Sequence, residues 1–273
     1  MNRELVAVAQ GVLAWCQVGG HSQANAGVII DADGITMVDT LLVRSQWQPL
    51  LDAVSALEMP IRRCVLTSSH LEFVGGTPGF WKAAMYGTPL ASAHLDQPAD
   101  PTVLRRLHPS FAAEIPDEVR TRPITHIVDE ASQFTPAAMV IPTLGQQVEN
   151  LVVAVPGAEV LFGGAMCWFG TTPLCFDGDP AAWAGALTEI AQIAEVFVPG
   201  YGPIGESADV LNQRDYLQAC VDAAASGDQD LPPGPWDGWA NRDFDAINIE
   251  KAVMVANGQP GPPSSMLRML GLA

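Results

Sequence analysis

Residues 67–76 read TSSHLEFVGG, a stretch that leaves the end of an apolar run and closes on two glycines. The run itself, RRCVLTSS at 62–69, is short and bounded by polar residues, the pattern of a buried strand emptying into a loop. Upstream, Pro60 ends an amphipathic helix over 45–58 whose Trp47, Leu50, Leu51, Val54 and Leu57 share one stripe. Before that helix, NAGVIIDADGITMVDT at 25–40 gives two β-rich runs about the turn 31–34, where Gly34 is free to take a positive φ. The opening ELVAVAQGVLAWCQV at 4–18 alternates about Gly11 and predicts a first hairpin.

Downstream, the spacing predicts a short helix over 78–85 and a strand over 89–93. NLVVAVP at 150–156 and EVLFG at 159–163 predict another hairpin. Asp179 and Pro180 supply a capping carboxylate and a first-turn proline, so a helix begins there, with Trp183, Leu187, Ile190 and Ile193 facing the core. EVFVPG at 195–200 is a strand, and 206–226 a second amphipathic helix with Val210, Leu211, Leu217 and Val221 inward. The Pro/Gly/Trp-rich 228–239 reads as a loop, and GQPGPP at 258–263 sets off an apolar tail. A packed terminal helix and a homodimer contact are the two readings of that tail. The expected organisation is one α/β domain over 1–227, not doubly wound, with 228–273 packed on it.

The chain has 273 residues, 48% hydrophobic and 16% charged, enough apolar material for a sizeable core. Thirteen basic against thirty acidic residues leave a net charge of −17. A field of that sign repels phosphate backbones and anionic lipid, so neither nucleic acid nor membrane is expected as a partner. Five widely spaced cysteines without a CxxC pair read as reduced thiols. With no apolar run of membrane-spanning length and a polar N-terminal stretch, a cytoplasmic location is the expectation.

Four segments, in order, resemble the metallo-β-lactamase superfamily: 25–40, TSSHLEFVGG at 67–76, ENLVVAVPGAEVLFGG at 149–164, and FVPGYGPIG at 197–205. The second and fourth are similar to that family's T-H-x-H-x-D-H-x-G-G and P-G-H-G loops. The resemblance implies a four-layer αβ/βα sandwich with an active site along one edge. It also implies one or two zinc ions generating a hydroxide, chemistry that needs at least three good ligands.

Carried over position by position, the resemblance places the first histidine on Ser68, the second on His70 and the aspartate on Glu72. The third histidine falls on Phe73, the next on Gln146, the bridging aspartate on Ala165 and the last histidine on Tyr201. One ligand is intact, one is altered and five are replaced, so no metal and no other cofactor is expected. Asp39, which supports the site in the family, is expected to satisfy backbone groups of the following loop.

Three functions remain open at this point. One is a metal-independent enzyme of hydrolase, dehydratase or cyclase type, working on a small, partly apolar organic molecule. There His70 is the acid or base, Glu72 orients it or acts itself, Tyr201 donates to an oxyanion and Ser68 is a candidate nucleophile. The plainer reading of Ser68 is a small polar residue closing a turn. Phe73, Gln146, Ala165 and Trp168 would line the substrate cavity. The second function is a binding or scaffold protein that has lost catalysis. The third is a mononuclear metallohydrolase using His70, Glu72 and one of His21, His94, His108, His126 or Cys167, with His94 and His108 in an insertion (94–117) over the pocket. The family includes polyketide cyclases and thioesterases, so the resemblance points to a biosynthetic role.

Overall fold

The structure is a computed structural model that describes residues 4–17 and 22–272. Two sheets carry the chain. The first runs in chain order from β1 (Leu5–Ala9) through β2 (Val12–Trp15), β3 (Ala26–Asp31) and β4 (Gly34–Val38), all antiparallel. Helix α1 (Arg44–Ser55) then crosses to β5 (Ile61–Val65), which lies parallel to β4. The short α2 (Leu71–Val74) precedes β6 (Ala84–Gly87), and α3 (Pro89–Leu95) and α4 (Pro101–Leu107) precede β7 (His126–Ile127) at the parallel edge.

The second sheet has the order β13-β12-β11-β10-β9-β8. It consists of β8 (Ser132–Gln133), β9 (Met139–Thr143), β10 (Asn150–Val155), β11 (Val160–Trp168), β12 (Val196–Tyr201) and β13 (Gly205–Glu206). Helix α5 (Pro180–Ile190) makes the crossover between parallel β11 and β12, and α6 (Ser207–Ser226) follows β13. The chain ends in α7 (Asp245–Ala256) and α8 (Ser264–Met269).

Alternation along the central strands explains the layers. Ile29, Val38 and Val65 of one sheet meet Leu151, Val153, Phe162 and Val198 of the other. Their neighbours in sequence, Val28, Met37, Cys64, Val152, Leu161 and Phe197, point the opposite way and join helix residues such as Leu50, Val54, Trp183 and Leu217. Each central strand is thus buried on both faces, with helices outermost, giving the expected four-layer αβ/βα sandwich.

Several local expectations change. Residues 89–93 are helix, not strand, because Thr88 accepts the Ala91 N–H as an N-cap and Pro89 takes the first turn. The strand is one element earlier, at β6, so 78–85 holds the end of a 3₁₀ turn, Thr77–Phe80, and the first residues of that strand. Helix α5 stops at Ile190, which leaves Ile193 exposed. The C-terminal segment contains a full helix, α7. Its buried Asn248 accepts from the Cys175 N–H and donates to Pro173 O, and its amide also lies 2.8 Å from the Tyr216 hydroxyl. No helix among the described residues is long and apolar enough to cross a membrane.

At the sheet interface Gly27 leaves room for Phe162, whose ring would lie 2.4 Å from a Cβ at that position. Gly27→Ala is expected to destabilise the fold by about 1–3 kcal/mol through overpacking. Phe162→Leu in the same chain should recover part of that loss, read as non-additivity in a urea-unfolding double-mutant cycle.

Candidate functional site

The carboxyl ends of β4, β5 and β12, the loop before β10 and the kinked end of β11 converge on one rim. There the buried Asp39 carboxylate accepts the Thr67 N–H and pairs with Thr67 Oγ1, both at 2.8 Å. Thr67 Oγ1 also accepts the Ala165 N–H at 3.2 Å, and Thr67 O accepts the Leu151 N–H at 3.0 Å. The close approach explains Gly164, which has φ +45° and where a Cβ would lie 2.2 Å from Thr67 Oγ1. Gly75 and Gly76 are required for a similar reason, since a Cβ on either would meet the carbonyl of Leu42 or Thr40 within 2.1 Å.

Two separate clusters stand where the resemblance placed metal ligands. The first holds Ser68, His70 and Gln146. The Gln147 N–H donates to Asn150 Oδ1 at 2.8 Å, so the Asn150 amide donates to Gln146 Oε1 at 3.0 Å. That turns the Gln146 NH₂ toward His70 Nδ1, 3.0 Å away, which must accept. The proton of neutral His70 therefore sits on Nε2, which faces Asp177 Oδ2 at 3.4 Å, while the ring stacks on Phe176 at 5.1 Å. Burial opposes the imidazolium, but the hydrogen bond to Asp177 and the charges of Glu72 and Asp177 outweigh it and raise the His70 pKa. The His70 hydrogen bond in turn holds the Asp177 carboxyl down at about 2.

Ser68 is buried: its hydroxyl donates to Gln147 Oε1 at 2.7 Å and accepts the His70 N–H at 3.2 Å. These bonds place Ser68 in the turn between β5 and α2.

The second cluster is buried deeper. Phe73 and Trp168 enclose the Tyr201 ring, with centroids 5.7 and 4.0 Å away. Burial, followed by the adjacent Glu72 charge, pushes the Tyr201 pKa well above its ordinary value, so the phenol stays neutral. His108 arrives from the insertion with Nδ1 2.7 Å from Ser22 Oγ and Nε2 3.6 Å from Glu72 Oε2. Burial lowers its pKa against the pull of Glu72. Ala165 is fully buried, and its carbonyl accepts the Trp168 indole N–H at 2.9 Å.

These donors do not fit a zinc ion. Gln146 presents NH₂ to the one retained histidine, Phe73 has no donor atom, and Glu72 lies in the other cluster. Among the described residues no group of three or more His, Cys, Asp or Glu could hold a metal. Of the extra ligands considered, His94 bonds Ser69, His126 stacks on Tyr86, and burial pushes the Cys167 thiol up to about 12. His21 lies outside the described residues.

The expected single cavity lined by all these positions gives way to a filled centre beside an open one. Of the sequence-derived candidates, His70 and His94 reach the open cavity, of about 360 Å³, between the 69–74 segment and the insertion. Ser69, His94, Gln147 and Asp177 supply its polar wall, and Leu71, Val74, Leu95, Leu104, Leu107 and Val119 most of its apolar one. Asp177, Gln147 and Phe176 were missed in the sequence. The doubled glutamine in GQQ and the carboxylate just before the Asp179 cap were the available signals.

Asp39 provides a test of the rim. Burial raises its carboxyl from 3.8 to about 7, against the two Thr67 hydrogen bonds. Between these values the folded chain keeps a proton that the unfolded chain has lost, so this group's contribution weakens as pH rises. Asp39→Asn is expected to flatten the fall in unfolding free energy between about pH 4 and about pH 7, measured by urea titration against the parent chain.

No family model matches the chain. Solved structures do. A mono-zinc form of the metallo-β-lactamase FIM-1 from Pseudomonas aeruginosa aligns with TM-score 0.60 and 18% identity, covering 78% of this chain and 97% of its own. VMB-1 aligns with TM-score 0.63 and 19% identity, covering 80% and 98%. A metallo-β-lactamase from Hirschia baltica aligns with TM-score 0.59 and 19% identity, covering 78% and 96%. The chain has the metallo-β-lactamase fold, and hydrogen-bonding and aromatic side chains, with no group of three or more His, Cys, Asp or Glu suited to a metal among the described residues, stand along this edge.

Proposed function

We propose that the chain is a metal-independent enzyme that performs acid–base chemistry on a small, partly apolar organic molecule in the open cavity. The carrying observation is His70, held in one tautomer by Gln146 and set against Asp177 on the cavity wall. At 3.4 Å the Nε2–H to Asp177 contact is at the long limit of a hydrogen bond, so a substrate oxygen can compete for that proton. His70 is then the donor that polarises a carbonyl or hydroxyl, and Asp177, ionised at neutral pH, is the carboxylate that takes up a proton beside it. Hydrolysis, dehydration and cyclisation all use such a pair.

The leucine- and valine-rich wall favours an apolar substrate body, and the net charge of −17 disfavours polyanions. The free cysteine thiols support a reducing compartment, for which we propose the cytoplasm.

A binding protein without turnover is the second reading. It is favoured by the filling of the old centre with Phe73, Tyr201 and Trp168.

A panel of aryl esters, thioesters and aromatic polyketide-like compounds separates the two. Turnover that survives chelator treatment and falls about 10²–10⁴-fold in His70→Asn and Asp177→Asn is the expected result. No turnover of any member, with an unmodified ligand co-purifying, would sink the enzyme reading.

A further inference from the structure

Ser69, unlike the buried Ser68, is half-exposed on the wall of the open cavity. Its Oγ lies 2.8 Å from Nδ1 of His94, an exposed residue in the last turn of α3. The neighbours of Ser69 orient its hydroxyl. The Gln147 Oε1 position is fixed by the Ser69 N–H, which it accepts at 3.1 Å, and its NH₂ is fixed by Asp177 Oδ2 at 3.1 Å. The same NH₂ donates to Ser69 Oγ at 3.0 Å. With the His94 proton on Nε2, the serine proton goes to Nδ1 at 2.8 Å, nearer than Gln147 Oε1 at 3.2 Å. A hydroxyl that accepts from a fixed amide and donates to an imidazole at the mouth of a cavity has the arrangement of an activated nucleophile.

We propose that Ser69 is a nucleophile with His94 as its general base, and that the substrate is an uncharged carboxylic ester or thioester with an apolar acyl group. This rests on the reading of the open cavity as an active site. Ser69 Oγ attacks the carbonyl carbon while its proton passes to His94 Nδ1. The tetrahedral adduct collapses, the bond to the alcohol or thiol breaks, and that leaving group departs with the His94 proton. Water then adds to the acyl-serine, giving its proton to His94. The acid is released as the Ser69 Oγ bond breaks and the serine recovers its hydrogen.

The acyl group lies against Leu71, Leu95, Leu104 and Val119. Because His94 comes from the segment that closes the cavity and Ser69 from the strand-end loop, the dyad forms only when the two meet.

The test uses the full chain with a fluorophosphonate probe and 4-nitrophenyl esters of increasing acyl length. Peptide mass spectrometry is expected to find the phosphonyl group on Ser69, with no label in Ser69→Ala and labelling slowed about 10²–10⁴-fold in His94→Asn. Ester turnover should fall in parallel in both variants, with circular dichroism unchanged. In Ser69→Cys, alkylation by iodoacetamide should map to the substituted position and slow on adding His94→Asn. Labelling elsewhere, or turnover that persists in Ser69→Ala, overturns the proposal. If such persistent turnover is lost in His70→Asn, the acid–base reading stands without the covalent step. If the parent chain neither labels nor turns over any ester, the covalent proposal fails as well.

Discussion

The Asp39–Thr67–Ala165 seam holds the two sheets in register at the working rim. One buried carboxylate takes the Thr67 N–H and hydroxyl, and that hydroxyl takes an amide from the other sheet. Asn25 makes a similar stitch, its side chain donating to Pro199 O and Gly202 O. Buried polar groups left unpaired are costly, so each of these bonds constrains where its strand can end. The glycines at 75 and 76 follow from the close approach of backbone carbonyls, and that at 164 from the close approach of the Thr67 side chain.

In a metal-bearing edge a cation compensates the acidic ligands. Here compensation comes from neutral donors and from partition into two clusters. Gln146, Gln147 and Asn150 orient one another and fix the His70 tautomer, starting from a single backbone N–H. Glu72 is buried beside Tyr201 and His108 and contributes an anion that raises the His70 pKa and holds the phenol proton in place. Aromatic rings occupy the remaining volume, as close packing requires.

The insertion joins both clusters. His108 reaches Ser22 and the Glu72 region, while His94 reaches Ser69. Arg105 bonds Ile115 O within the insertion, and Arg106 ties it to the C-terminus through Leu270 O and Gly271 O. The segment is thus anchored at several points while its inner face forms one wall of the cavity.

The strands and the main helices were legible because burial on one or two faces imposes periodicity, as in 25–40, 150–163 and 206–226. The 78–85 and 89–93 elements were exchanged in type: the strand lies at Ala84–Gly87, and capping by Thr88 and Pro89 makes 89–93 a helix. The side-chain chemistry of the edge was equally legible, since Phe73 and Ala165 carry no side-chain donor whatever surrounds them. By itself the sequence determined the layered fold and which side chains stand along this edge. Only the tertiary structure decided that His70 faces Asp177 across 107 positions of sequence, that Ser69 and not Ser68 is accessible, and that the cavity lies beside the old centre. The physical reason is that side-chain hydrogen bonds and exposure depend on which distant segments meet, and periodicity along a chain carries no record of that.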